Sequence, residues 1–145
     1  MDRLSGETLL RLPVRFNGIH LGHPVDVVLD AEVRRVLGLD VRCGDDVHRF
    51  LPLGAAHAGD EELAIASTLM LLDPDQLAFY RKRGTTLRTL RGARVSLAGR
   101  DVGTLQDVVS SSDGALTHLV VENARHVPLD ARVRIEVDPR RVDAA

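Results

Sequence analysis

The chain has 145 residues, with 21 acidic against 19 basic side chains and a formal net charge of −2. At 44% hydrophobic and 28% charged it has enough apolar material for a core, and no run of roughly 18 apolar residues that would cross a membrane as a helix. The near-neutral balance argues against a dedicated nucleic-acid binder, whose affinity comes mainly from neutralising phosphates.

The start, Met1-Asp2-Arg3-Leu4-Ser5-Gly6-Glu7, is polar and lacks the apolar stretch of a signal peptide, and residues 1–9 read as a tail. The lone cysteine, Cys43, leaves no partner for an internal disulfide, and the expected setting is the cytoplasm. Val14-Arg15-Phe16 leads into Asn17-Gly18, a two-residue hairpin signal because both residues tolerate positive φ. Residues 24–30 and 36–41 are short, aliphatic and partly alternating, as half-buried strands are. Aromatics make up only 3% of the chain, so the core is expected to be aliphatic, with Val27, Val28, Leu39, Val41, Val108, Val109, Leu119 and Val121 among its members.

One helix stands out. Asp73 is a good N-cap, Pro74 suits the first helical position and Gln76 completes a pattern like a capping box. Leu77 and Tyr80 share a face, Arg81, Lys82 and Arg83 complement the dipole in the last turn, and Gly84 stops the helix. Residues 84–92 then lead into a second stretch of strands, in which Ser112-Asp113-Gly114 marks a turn.

That second stretch repeats the first. Residues 14–28 and 95–109 both read V-x-x-x-G-x-x-x-G-x-x-x-D-V-V without a gap, six identities in fifteen positions. After a one-residue deletion, residues 36–41 face 116–121, and Phe50-Leu51-Pro52-Leu53 faces His126-Val127-Pro128-Leu129. Gly18 and Gly99 fall at turns. Gly22 and Gly103, inside strand patterns, are expected at bends or bulges. Several short strands in a small module point to a closed barrel, since closure removes exposed edges.

The repeated pattern, with its glycines, its D-V-V strand and its late proline-containing strand, resembles the PRC-barrel family. The resemblance covers roughly residues 10–72 and again 93–138. It implies a mainly β fold of two tandem small barrels joined by a short helix: module 1 over 10–72, a helical linker over 73–92, module 2 over 93–139 and a tail over 140–145. The family includes the C-terminal domain of the ribosome maturation factor RimM and the cytoplasmic domain of the photosynthetic reaction-centre H subunit. This chain lacks both the N-terminal domain of the first and the transmembrane helix of the second. What the resemblance implies is a docking module, by analogy of fold.

Several residues invite a sharper role. Asp26 and Asp107 occupy equivalent positions, but a repeated carboxylate fits a turn or barrel corner, accepting backbone N–H bonds beside a tight glycine turn, better than a catalytic pair. His20 and His23 have a ligand-like spacing, yet Cys43, His48 and His57 complete no known metal-binding pattern, and the second copy has lost both histidines. Cys43 precedes the acidic Gly44-Asp45-Asp46, an unfavourable neighbourhood for a thiolate nucleophile, and Ser110-Ser111-Ser112 lacks a nucleophile elbow. No enzymatic constellation and no cofactor motif is read.

The remaining feature is charge. Arg81, Lys82, Arg83, Arg88, Arg91 and Arg94 lie in a stretch without an acidic residue, so the formal charge is −4 over residues 1–72, +3 over 73–92 and −1 over 93–145. This stretch either pairs with the acidic first module or forms a docking surface for a protein partner, RNA or an anionic surface. The functional expectation is a non-enzymatic adaptor that binds a protein partner. RNA or ribosome association in assembly is the alternative, and a small-ligand or metal sensor built on His20 and His23 ranks after it. Self-association as a homodimer is left open.

Overall fold

The computed structural model describes residues 3–136. In chain order it begins with β1 (Arg3–Ser5) and α1 (Gly6–Arg11), within what sequence alone reads as a tail. Ser5 caps α1 by accepting the Thr8 N–H at 3.0 Å, and Leu9 and Leu12 are carried into the core. There follow β2 (Val14–Phe16), β3 (Ile19–Leu29), β4 (Val36–Cys43), β5 (His48–Pro52), β6 (Ala56–Ala58) and β7 (Leu63–Ile65). They form a curled sheet in the order β5-β4-β3-β2-β7-β6.

The connector carries α2 (Pro74–Arg83), capped as the sequence predicts: the Asp73 carboxylate accepts the N–H groups of Asp75 and Gln76, and Gly84 ends the helix. Next come β8 (Thr85–Thr86) and α3 (Leu87–Leu90), which the sequence reading passed over as linker. The second sheet, ordered β12-β11-β10-β9-β13, is built from β9 (Arg94–Leu97), β10 (Arg100–Ser111), β11 (Leu116–Val121), β12 (Arg125–Pro128) and β13 (Val133–Glu136). The protein is mainly β, and no helix among the described residues is long and apolar enough to cross a membrane.

The repeat is visible bond by bond. Asn17 and Gly18 take φ of 49° and 79° at the β2–β3 turn, and Ala98 and Gly99 take 52° and 83° at β9–β10, the positive-φ pair of a type I′ hairpin. In the first unit Val27 faces Leu39 and Leu39 faces Leu51; in the second Val108 faces Leu119 and Leu119 faces Val127. Register shifts recur at matching places, between Pro24 and Asp26 as between Leu105 and Asp107, and again after Val28 and Val109. Gly22 and Gly103 both flank irregularities in the pairing of β2 with β3 and of β9 with β10. The copies part at their ends: β7 runs parallel to β2, whereas β13 runs antiparallel to β9.

All eight core positions expected from sequence are buried, none more than 7% exposed. One apolar cluster draws on both units and on the short helices, running from Leu9 and Val27 through Leu87 and Leu90 to Leu119 and Val133. A satellite cluster of Val28, Phe50 and Leu77 lies under α2. There the Tyr80 ring stacks on Phe50 with centroids 4.4 Å apart.

Candidate functional site

The two units are laced together by exchanged arms. β1 pairs with β10, placing Ser5 opposite Val109, while β8 pairs with β3, placing Thr86 opposite Val28. The spacing that relates Val14 to Val95 also relates Ser5 to Thr86, Thr8 to Thr89 and Leu9 to Leu90, so each unit lends its leading strand to the other. The caps match as well: Thr86 accepts the Thr89 N–H as Ser5 accepts that of Thr8.

Asp26 and Asp107 complete this exchange. Asp107 accepts the Glu7 N–H of α1 at 3.1 Å, and Asp26 accepts the Arg88 N–H of α3 at 3.1 Å. Each also accepts the N–H of its next residue, Val108 and Val27. Both carboxylates therefore satisfy backbone donors, but the distant donors belong to a helix start rather than to a glycine turn. Asp26 is 6% exposed, and burial pushes its carboxyl above the usual range against the opposing pull of the Arg88 N–H and the Thr86 hydroxyl. At the seam, Val36 N–H donates to Gly114 O and Leu116 N–H to Arg34 O, with Arg35 bridged to Ala115. The repeat correspondence exchanges these two bonds, so the units meet in a self-complementary, two-fold manner.

The basic stretch is divided by the fold. Arg94 forms an ion pair with Asp101 at 2.7 Å, and Arg91 Nε donates to Gln106 O. Arg88 lies at the start of α3, beside Asp26. Arg81, Lys82 and Arg83 occupy the last turn of α2, with the Arg83 guanidinium 4.7 Å from the centre of the Phe79 ring. Phe79 itself is 46% exposed, and on the same connector Leu69 is 83% and Met70 38% exposed. Sequence reasoning did not single out Leu69 and Met70, because a Leu-Met-Leu-Leu run reads as core. Only the position of Leu69 and Met70 in a 3-10 turn, reaching out before α2, sets them outside.

The other singled-out residues are dispersed. His20 and His23 are exposed on β3, opposite Arg15 and Arg42, and among the described residues no three His, Cys, Asp or Glu side chains gather as metal ligands. Cys43 is buried at the end of β4 beside a turn where Arg49 grips Asp45 through both nitrogens. That grip holds the Asp45 carboxyl down at about 2. Ser110 is wholly buried and its hydroxyl reaches Leu4 O at 3.5 Å, a strand-to-arm contact. A pair not anticipated from sequence joins the buried Asp40 to His48 Nδ1 at 2.7 Å across the β4–β5 hairpin. It satisfies a carboxylate that the second unit replaces with Val120.

Comparison of the sequence with protein-family models gives no match, and neither does comparison with curated proteins. What the fold defines is a class: two repeated β units with exchanged arms around one shared core.

Proposed function

We propose that this protein is a non-enzymatic adaptor, made of two PRC-barrel-like units and working in the cytoplasm, that docks an acidic protein partner on the connector between its units. The observation that carries the reading is the connector surface itself. Leu69, Met70 and Phe79 are exposed on the segment that ends in Arg81, Lys82 and Arg83. Aromatic, Met and Arg side chains are the types enriched where proteins bind one another, and large exposed apolar groups mark such surfaces. The rest of α2 supports this, because Leu77 and Tyr80 face the core and most of its other side chains face outward.

Affinity capture from native cytoplasm, with and without nuclease, tests it. The expected result is a stoichiometric protein that survives nuclease and is lost from the Leu69→Asp/Phe79→Asp variant. A capture that is empty, or unchanged in the variant, overturns it. The exposed Phe79 ring with Arg83 against it also favours a second reading, association with RNA in ribosome assembly, since a base stacks on such a platform. Tyr80 is engaged with Phe50, so this platform is a single ring. Phosphate-driven binding would weaken steeply between about 50 and 200 mM salt, and the captured components would vanish with nuclease.

A further inference from the structure

Where the Asp30–Arg35 turn of the first unit meets β13 of the second, the surface opens into a cleft of about 290 Å³. Val33 and Val133 are buried in it, Leu129 and Ile135 half-buried, and the charged side chains around them, Glu32, Arg34 and Arg134, are exposed. The size lies at the lower end of metabolite pockets, roughly 300–1,000 Å³, and an apolar wall with a few convergent polar groups is their usual make-up.

Two features mark this cleft out from the seam around it. Val33 holds φ at 55°, a conformation β-branched residues avoid. It is kept there because Asp30 accepts the N–H groups of Arg34 and Arg35 at 2.7 and 2.8 Å, and because Val33 N–H closes on Asp30 O. The molecule thus holds an unfavourable backbone in place and keeps this one methyl pair against the apolar wall. The second feature is asymmetry. By the repeat, Leu129 corresponds to Leu53, and Leu53 is buried against Gly114, where an added Cβ would find Leu53 Cδ2 at 3.1 Å and Arg35 Nη1 at 3.4 Å. One place is filled by the protein's own atoms; among the described residues its counterpart is open.

The charges define what fits. Asp130 is occupied by Arg132, 2.9 Å away. Arg34 reaches only the Asp130 carbonyl, at 3.5 Å, and Arg134 the carbonyls of Ala131 and Val133. Among the described residues neither guanidinium has a carboxylate within ion-pair distance. With Glu32 as the only acid among the described residues that line the cleft, it presents two guanidinium groups above an aliphatic wall. We propose that it binds a small aliphatic carboxylate, with the hydrocarbon against Val33, Leu129, Val133 and Ile135 and the carboxylate between Arg34 and Arg134.

The test uses the whole chain, with methyl resonances followed as 4-methylpentanoate is added and, separately, its neutral analogue 4-methylpentanamide. Saturable shifts at Val33, Leu129, Val133 and Ile135 are expected, with the acid binding more tightly than the amide. In the Arg34→Gln/Arg134→Gln variant, affinity for the acid should fall about tenfold while that for the amide stays put. Both substituted side chains are exposed, and unmoved resonances of Val27 and Leu39 report that the variant is folded. The proposal is overturned if no saturable shift develops by about 10 mM. Equal binding of acid and amide, or unchanged binding of the acid by the variant, overturns it as well. The connector surface shares none of these residues, so failure here leaves the docking reading standing, and the reverse.

Discussion

At Asp26 a carboxylate gives up most of its water and in return receives N–H groups from its neighbour and from Arg88, 62 positions along the chain. Removing the acceptor with Asp26→Ala leaves the start of α3 without that partner, and a loss of about 0.5–2 kcal/mol is expected, the usual worth of a helix cap. Asp107→Ala should cost a similar amount at α1, read from urea midpoints. Asp26→Asn behaves differently. Because burial raises the folded carboxyl above its value of 3.8, the folded protein holds a proton that the unfolded chain has released, and stability falls as pH rises through that window. The amide keeps an acceptor oxygen and carries no charge. The variant should therefore gain on the wild type as pH rises above 3.8, with the gain complete above the folded value. A midpoint difference that is constant with pH would show that burial does not govern this carboxyl. That these aspartates serve backbone donors was legible in the repeat itself. Which donors they serve was not, since Glu7 and Asp107 are 100 residues apart and no local pattern connects them.

The long strands and α2 declare themselves in sequence because their signals are local: a positive-φ pair at each hairpin, aliphatic alternation, a capped helix. β1, β8 and the helices after them do not. α1 has six residues and α3 four, too few for a periodicity to show, and such short helices exist only because Leu9, Leu87 and Leu90 are buried in the shared core. The strand registry predicts that Leu39→Ala and Leu119→Ala each cost about 2–5 kcal/mol, since both side chains are fully enclosed. Gly84 tests the arm. A Cβ there would run into the carbonyl of Leu29, the residue that pairs with Thr85 of β8. Gly84→Ala should destabilise by about 1–3 kcal/mol, whereas Gly54→Ala, with nothing within 4 Å, should stay within about 0.5. Equal midpoints for the two variants would contradict the close approach of the connector to β3.

For the molecule as a whole, the sequence announces two copies and is silent on how they share atoms. Read alone, the pattern suggests consecutive modules with a linker between them, because sequence order places the leading strand of each copy beside its own strands. The structure instead joins the copies through crossed arms and one apolar cluster. Heat or urea should accordingly unfold the chain in a single step, with signals from Tyr80, packed on Phe50 of the first unit, and from the second unit's methyl groups superimposed. Two separated transitions would show the units to be independent. The crossing also bears on how the chain is made. β1 leaves the ribosome well before its partner strand, which is completed only at Ser111. Until then β1 has no edge to join and the shared core is open, so nascent chains stalled before β10 should be far more sensitive to protease than those released beyond it. Translation must run on to Ser111 before Arg3–Ser5 find their place.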